Sequence, residues 1–336
     1  MAVAPFVLCS EGSAQSMGLA PHLFRSLPFC NRQLSCWHMK ITNKHNAPES
    51  LVAFANAKHY DAGGSTYTVT QLIDSPRVRI LRSRHYRDME EDVYSTVFRL
   101  IGTSLHHIVE EYGGDGAEER LFLDLTEEFG RNEKLVVSGA IDLQTSDDGG
   151  VVIGDYKMTS VAATRFPDKW AKQLNMYAYL VQRVHGKRVS KLEVYAILKD
   201  WNWRTASTRS DYPKQPGVTI PIDLWSYEEQ EKFFMSRIGE HIQADWAEEP
   251  PHCTKDEQWG GQDKWAVMSR SRDKRSKNPK GRALSLHDNA LDAMEKVECD
   301  TADDLYVEFR PGEATRCVAF CDVSEWCEQY RTEREK

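Results

Sequence analysis

The sequence lacks three features that would each define a large class of proteins. No hydrophobic run approaches the roughly 20 residues that a membrane-spanning helix requires, so we expect no membrane partner. No Gly-rich phosphate-binding loop of the Walker type is present, which argues against a helicase motor within this chain. Positive charge is not in excess either, because the formal net charge is −8. Any contact with nucleic acid must therefore come from local basic patches.

The features that are present describe a soluble, globular chain. Of its 336 residues, 40% are hydrophobic and 28% are charged, which suits one large or two modest domains. The eight cysteines do not suit a secreted disulfide scaffold. Their clustering near the C-terminus favours metal ligation in a reducing compartment, and we expect a cytoplasmic protein of a bacterial or phage-infected cell.

Two strand-like runs at 135–143 and 151–158 flank a turn cluster and predict a β-hairpin. With Asp148-Gly149 at the turn centre, Asp142 and Asp155 would face each other across the antiparallel pair. Two carboxylates in that position repel each other, so we expect a cation between them. Lys157 shares a strand face with Asp155 because side chains alternate along a strand.

Two helix patterns surround this hairpin. In the helix predicted over 168–184, Gln173 and Tyr177 are four residues apart and share one face. In the helix predicted over 88–112, Gly102 and His106 have the same spacing. Glu110 is a candidate partner for this histidine, and a surface role for it is equally compatible with the pattern.

These residues occur in the order and in the elements of a known family. Gly102 and His106 lie on a helix, Asp142 and then Asp155-Tyr156-Lys157 lie on successive strands, and Gln173 and Tyr177 lie on the next helix. The chain resembles the RecB-like branch of the PD-(D/E)xK nuclease superfamily over roughly residues 68–330. The resemblance implies an α/β fold with a restriction-endonuclease-like core, in which a mixed central sheet is flanked by helices.

The same resemblance assigns roles to the motif residues. Asp142, Asp155, His106 and the Tyr156 carbonyl would bind Mg²⁺ or Mn²⁺. Lys157 would orient the attacking water and stabilise charge on the phosphate, and Gln173 and Tyr177 would hold the DNA strand. It implies a deoxyribonuclease that processes DNA ends or single strands in recombination, repair or phage replication, with a helicase or recombination protein as a partner. Exonuclease action is expected because relatives with a metal-binding cysteine cluster near the C-terminus mostly degrade DNA from its ends.

Three cysteines lie within eleven residues near the C-terminus: Cys317, Cys321 and Cys327. Thiolates select zinc or an iron–sulfur cluster, and both want four ligands. Many relatives place a fourth cysteine where this chain has Ser75. Cys253 is the expected substitute and Cys299 the reserve. The resemblance favours a 4Fe–4S cluster, with zinc as the alternative.

Two basic stretches are candidates for phosphate contacts. The stretch 269–282 holds seven Lys or Arg against one Asp, and a solubilising loop is its other interpretation. Five arginines between residues 77 and 87 fit either a solvated helix face or a phosphate-binding patch: Arg77, Arg79, Arg82, Arg84 and Arg87.

The expected organisation has three parts. Residues 1–38 form an extension that is disordered or reflects a misassigned start, 39–248 form the nuclease core with an N-terminal helical part, and 249–336 form a small α/β subdomain with the basic loop and the cysteine cluster. A catalytically inactive DNA-binding or assembly module with a structural metal cluster is the alternative. A third interpretation is a cysteine-metal protein unrelated to nucleic acid, with Asp142 and Asp155 as surface carboxylates.

Overall fold

The strands and helices alternate through most of the chain. A computed structural model describes residues 39–57, 62–270, 282–300 and 304–335. Its strands are β1 (Lys40–Thr42), β2 (Tyr67–Thr68), β3 (Glu90–Asp92), β4 (Ala117–Asp124), β5 (Val136–Asp147), β6 (Gly150–Thr159), β7 (Val189–Leu198), β8 (Gly217–Ile222), β9 (Lys264–Ser269), β10 (Ser285–His287) and β11 (Leu305–Arg310). Its helices are α1 (Glu49–Asn56), α2 (Val69–Leu72), α3 (Pro76–His85), α4 (Val97–Tyr112), α5 (Asp168–His185), α6 (Trp203–Thr208), α7 (Tyr227–Trp246), α8 (Ala290–Glu298), α9 (Thr315–Ala319) and α10 (Glu328–Arg334).

The central sheet is mixed and has six strands. Five of them run in the order β2-β5-β6-β7-β8, and β4 pairs with β5 on a side branch. The pairs β4–β5, β5–β6 and β7–β8 are antiparallel, whereas β6–β7 and β2–β5 are parallel. A parallel neighbour requires a crossover, and α5 supplies it between β6 and β7. The expected mixed sheet flanked by helices is confirmed.

Helix α5 forms the centre of the hydrophobic core. It ends at Gly186, whose φ of 65° is the left-handed conformation that terminates many helices. Leu174, Met176 and Leu180 of α5 are fully buried against the sheet. The helix approaches β5 so closely that a Cβ at position 139 would lie 2.9 Å from the Tyr177 ring, so glycine is required there.

The chain after α7 forms a second, smaller sheet. Strands β10, β9 and β11 are antiparallel in that order, and α8 packs on them. This α/β pattern agrees with the small subdomain expected from the sequence. The domain boundary near residue 249 stays a prediction.

The long helix expected over 88–112 begins later than its hydrophobic periodicity indicates. Residues Glu90–Asp92 instead pair in parallel with β1, and the Asp92 carboxylate accepts a hydrogen bond from the Tyr94 backbone N–H. This interaction caps a 3₁₀ turn that leads into α4. The strand pairing and the cap together delay the helix to Val97.

Several arginines of α3 bind other parts of the chain, so they form neither a purely solvated helix face nor a free phosphate-binding patch. Arg79 pairs with Asp245, Arg82 pairs with Asp322, and Arg84 donates to the Ala247 and Glu248 carbonyls. They connect α3 to the segments that follow it at a distance in sequence.

Some sequence predictions lie outside the described residues. These are the predictions for residues 1–38 and for residues 271–281 of the basic stretch. Among the described helices, none is long and apolar enough to cross a membrane.

Candidate active site

The two acidic residues lie where β5 and β6 separate. The ladder pairs Asp147 with Gly150 and continues to Leu143 with Gly154, which is the register expected for a turn centred on Asp148-Gly149. It ends there, one residue before Asp142 and Asp155. Beyond this point a side chain replaces the backbone acceptor, because Asp142 Oδ2 accepts a hydrogen bond from the Tyr156 N–H at 2.8 Å. The β5–β6 ladder therefore ends at the two carboxylates.

Asp155 is a buried carboxylate with little compensation. It is 1% exposed, and neither of its oxygens accepts a hydrogen bond of acceptable geometry from the described residues. Lys157 Nζ lies 2.7 Å from its Oδ2 and forms an ion pair. Burial nevertheless raises the pKa of Asp155, with Lys157 acting in the opposite direction. Buried carboxylates without hydrogen bonds are costly unless a cation binds them.

Asp142 is held beside it under similar conditions. It is 5% exposed, and burial, followed by repulsion from Asp155, raises its pKa. Repulsion between two buried carboxylates is relieved when a cation shares them. The expectation that a cation lies between these residues therefore fits their surroundings.

Helix α4 brings His106 to the same place. Its Nδ1 lies 2.8 Å from Glu118 Oε1 and 3.4 Å from Asp142 Oδ1. The hydrogen bond with Glu118 raises the pKa of the imidazole. Ligand atoms of these three residues lie within 4.8 Å of one another, the only such group of three among the described residues.

Glu118 was missed by the sequence analysis. It lies in β4 with a φ of 52°, a left-handed conformation that is uncommon for a residue other than glycine and often marks a functional position. Glu110, the partner considered for His106, instead pairs with the exposed His107 at 3.4 Å. No local motif places Glu118 beside the histidine, so the sequence carried no signal for it.

This donor set suits a hard divalent cation. Carboxylate oxygens are the preferred ligands of Mg²⁺ and Mn²⁺, and an imidazole is compatible with Mn²⁺. Asp142 and Glu118 supply oxygens and His106 a nitrogen within 4.8 Å of one another; Asp155 is not part of this group of three, and its Oδ1 has no hydrogen-bond partner among the described residues.

The two residues expected to hold DNA lie together on α5. Gln173 Nε2 donates a hydrogen bond to the Tyr177 hydroxyl at 2.8 Å. Tyr177 is 4% exposed and packs under Gly139, so most of its surface belongs to the core. Gln173 is the more accessible member of the pair.

The four cysteines expected to bind a cluster line one pocket. Cys253, Cys317, Cys321 and Cys327 line one small cavity of about 10 Å³. Ser75 Oγ lies 3.1 Å from Cys253 Sγ, so Cys253 occupies the neighbourhood of the serine. Cys299 is exposed at the end of α8 and does not line this pocket.

A buried cation also lines this cysteine pocket. Arg77 is 2% exposed and donates to Cys327 Sγ at 3.2 Å and to the Pro250 carbonyl at 2.7 Å. No described carboxylate lies within ion-pair distance of it. Burial raises the pKa of the Cys253 and Cys317 thiols to about 11. These thiols are therefore neutral at pH 7 unless a metal displaces their protons.

A family model confirms the class of protein that this fold and site indicate. The PD-(D/E)XK nuclease superfamily model matches residues 47–328. The chain therefore belongs to this superfamily, whose members are nucleases that use divalent metal ions such as Mg²⁺ or Mn²⁺.

Two individual comparisons add detail. The chain is 35% identical over 71 residues to one subunit of the "ATP-dependent helicase/nuclease" of Carboxydothermus hydrogenoformans (strain ATCC BAA-161 / DSM 6008 / Z-2901), and this match covers 20% of the chain and 6% of the relative. It agrees with the RecB-like branch. A solved structure described as "Crystal structure of SSO0001" aligns with 56% of the chain and 81% of its own length, at 15% identity and a TM-score of 0.35.

Proposed function

We propose that the protein is a metal-dependent deoxyribonuclease that acts at DNA ends in recombination, repair or phage replication. The observation that carries the proposal is the convergence of Asp142, Asp155, His106 and Lys157 at one place, where the buried Asp155 Oδ1 has no partner among the described residues and Oδ2 pairs with Lys157. Surface carboxylates would be exposed and hydrated, whereas these two are buried. Exonuclease action is supported by the cysteine pocket, because relatives with such a cysteine cluster mostly degrade DNA from its ends.

Each residue has a distinct role in phosphodiester hydrolysis. A bound Mg²⁺ or Mn²⁺ would neutralise charge on the scissile phosphate and lower the pKa of a water. Asp142, Asp155, His106 and the Tyr156 carbonyl would hold the ion. Glu118 accepts a hydrogen bond from His106 and fixes the orientation of its ring. Lys157 forms an ion pair with Asp155, so it acts as a hydrogen-bond donor that positions the water and stabilises the phosphate.

A cleavage assay with matched variants tests this proposal. The wild type should cleave end-labelled DNA with Mn²⁺ and lose all cleavage in EDTA. Asp155→Ala and Lys157→Ala should each reduce the rate by about a hundred- to a thousandfold, the range for removal of one stabilising group. Asp148→Ala is the control, because Asp148 is an exposed carboxylate at the tip of the same hairpin. Cleavage that persists in EDTA would refute the mechanism, and no cleavage with any divalent metal would favour the inactive module.

A second assay distinguishes exonuclease from endonuclease action. Linear and circular single strands of the same sequence are incubated with the protein and Mn²⁺. An exonuclease degrades only the linear form. Equal cleavage of the circular strand would show an endonuclease and overturn the exonuclease assignment.

The cysteine pocket would hold a 4Fe–4S cluster bound by Cys253, Cys317, Cys321 and Cys327. The resemblance of the segment 317–327 to the C-terminal cluster motif of RecB-like nucleases favours a cluster over zinc. Arg77 supports an anionic occupant, because a buried guanidinium needs a counter-charge. Anaerobic purification followed by iron, sulfide and zinc analysis distinguishes a cluster from zinc.

A helicase or recombination protein is the proposed partner. The helicase/nuclease name belongs to the relative, of which this chain spans 6%. We place the protein in the cytoplasm of a bacterial or phage-infected cell, because a reducing compartment keeps the described cysteines free.

A further inference from the structure

Three exposed aromatic rings surround the edge of the sheet where the candidate active site lies. Phe98 of α4, Phe166 after β6 and Trp203 at the start of α6 are 67–68% exposed. They are three of the six large aromatic side chains in the described residues that are at least 65% exposed. Exposed rings grouped at one place mark a candidate interaction surface.

The backbone connects this edge directly to the catalytic residues. Asp155, Lys157 and Thr159 share one side of β6, and Thr159 lies about 7 Å along the strand from Lys157. The Thr159 carbonyl accepts a hydrogen bond from the Lys199 N–H at 2.9 Å. The ammonium of Lys199 in turn lies 4.7 Å from the centre of the Phe98 ring. Lys199 therefore contacts both the Phe98 ring, through its ammonium, and the end of β6, through its backbone.

The connections after β6 and β7 are joined to each other as well. The Val161 N–H donates to the Asp200 carboxylate at 2.7 Å. Phe166 follows five residues after Val161, and Trp203 follows three residues after Asp200. The contact holds the segments that carry both rings at the same edge.

The helix that carries Phe98 also leaves space beside it. Gly102 lies between Phe98 and His106 at four-residue spacing, and a Cβ at position 102 would meet nothing within 4 Å. Eight residues of helix span about 12 Å, the length of three to four stacked nucleotide steps of about 3.4 Å. Phe98, Gly102 and His106 therefore mark one helix face of this length, with open space at its middle position.

The charges at this edge suit a phosphate backbone. No described carboxylate lies within ion-pair distance of Lys199 or of Arg204 in α6. Aromatic rings interleaved with free cations are the pattern by which proteins bind unpaired nucleic acid, because bases stack on the rings and phosphates contact the cations. Bases within a duplex have no free faces for stacking on these rings.

We infer that this edge is a binding track for single-stranded DNA. Phe98, Phe166 and Trp203 stack with bases, and Lys199 and Arg204 contact phosphates. The track delivers a strand to Asp155 and Lys157, a step that rests on the proposed nuclease function. It specifies the substrate as an unpaired strand or the unpaired end of a duplex.

Binding measured by fluorescence anisotropy in EDTA tests the track without cleavage. The probes are a labelled 12-nucleotide oligo(dT) and a blunt duplex of equal length. We expect the wild type to bind the single strand more tightly. Phe98→Ala and Trp203→Ala should each weaken that binding about tenfold, within the range for loss of one stacked base. Phe98→Trp should restore it, and Trp246→Ala, which removes a more exposed ring on α7, should leave it unchanged.

The outcomes separate this inference from the nuclease proposal. Single-strand binding that is unchanged in Phe98→Ala and Trp203→Ala, with melting temperatures equal to that of the wild type, would overturn the track. Tighter binding of the duplex, or no binding of the single strand, would overturn it too. Aromatic-dependent binding without cleavage in Mn²⁺ would retain the track and refute the nuclease instead.

Discussion

Asp142 shows how function and stability oppose each other at a single residue. Burial and the nearby Asp155 raise the pKa of Asp142 to about 7, whereas an unfolded aspartate has a pKa of about 3.9. The metal-free fold therefore binds this proton more tightly than the unfolded chain does. Its contribution to stability is full below about pH 4 and is lost as the pH rises through about 7.

Asp142→Asn removes this conflict. At pH 8 we expect the metal-free variant to have a higher free energy of unfolding than the wild type, by up to about 4 kcal/mol for a shift of this size. Mn²⁺ should stabilise the wild type and have little effect on the variant. Urea unfolding at pH 8, with and without Mn²⁺, checks both expectations. A variant that is less stable than the wild type without metal would contradict them.

The sequence identified the motif residues of the candidate site but not their whole environment. Asp142, Asp155 and Lys157 could be placed because strand alternation and a two-residue turn fix their register. Glu118 could not be placed, because its proximity to His106 depends on how α4 packs across β4. A periodic pattern predicts which residues share a face of a helix, but it does not predict which element packs against that face.

At the scale of elements, α3 and α7 are joined by a buried polar contact. Arg79 Nε donates to His241 Nδ1 at 2.9 Å, and Arg79 also pairs with Asp245. Burial, then Arg79 and Arg237, lower the pKa of His241 to about 3. The unfolded histidine has a pKa of about 6.5. The neutral ring therefore stabilises the fold fully above pH 6.5, and this contribution is lost as the pH falls toward 3.

His241→Asn keeps an acceptor near Arg79 and cannot gain a proton. We expect the variant to be less stable than the wild type at pH 7, because it fills the buried site less well. Between pH 7 and pH 4 the wild type should lose about 3 kcal/mol more than the variant. Chemical unfolding at the two pH values measures this difference. Equal losses would show that His241 does not titrate as described.

The arginines of α3 mark the limit of sequence interpretation at this scale. From sequence alone, a run of arginines predicts either a solvated helix face or a phosphate-binding patch, because neither interpretation requires a partner that is distant in the sequence. The structure gives them distant partners in Asp245, Asp322 and the chain around Pro250. Contacts of such long sequence separation are decided by the fold as a whole, and one sequence does not reveal them.

Attachment of the C-terminal segment should depend on the cysteine pocket. Cys327→Ser should remove the bound metal and make α10 more susceptible to proteolysis, because four sulfur ligands would tie Cys253 to the segment 317–327. Cys299→Ser is the control, since Cys299 lies outside the pocket. Metal analysis and limited trypsin digestion measure the two effects. Metal content equal to that of the wild type would rule out Cys327 as a ligand.

For the whole molecule, the small number of cations proposed to contact phosphates predicts a weak salt dependence of DNA binding. Each phosphate contacted on a single strand contributes about −0.7 to the slope of log affinity against log salt. Contacts from Lys157, Lys199 and Arg204 would give a slope of about −2. Lys199→Gln should reduce its magnitude by about 0.7. A wild-type slope steeper than about −6 would contradict a contact limited to these cations.

The central claim is that one divalent ion site, formed by Asp142, Asp155 and His106 beside Lys157, cleaves DNA. Its most direct test is a Mn²⁺ titration of metal-free protein in which bound metal and the rate of single-strand cleavage are measured on the same samples. We predict that both rise together in the wild type, and that Asp155→Asn abolishes this cleavage and weakens Mn²⁺ binding at this site. Full cleavage before Mn²⁺ is added, or in Asp155→Asn, would contradict the account.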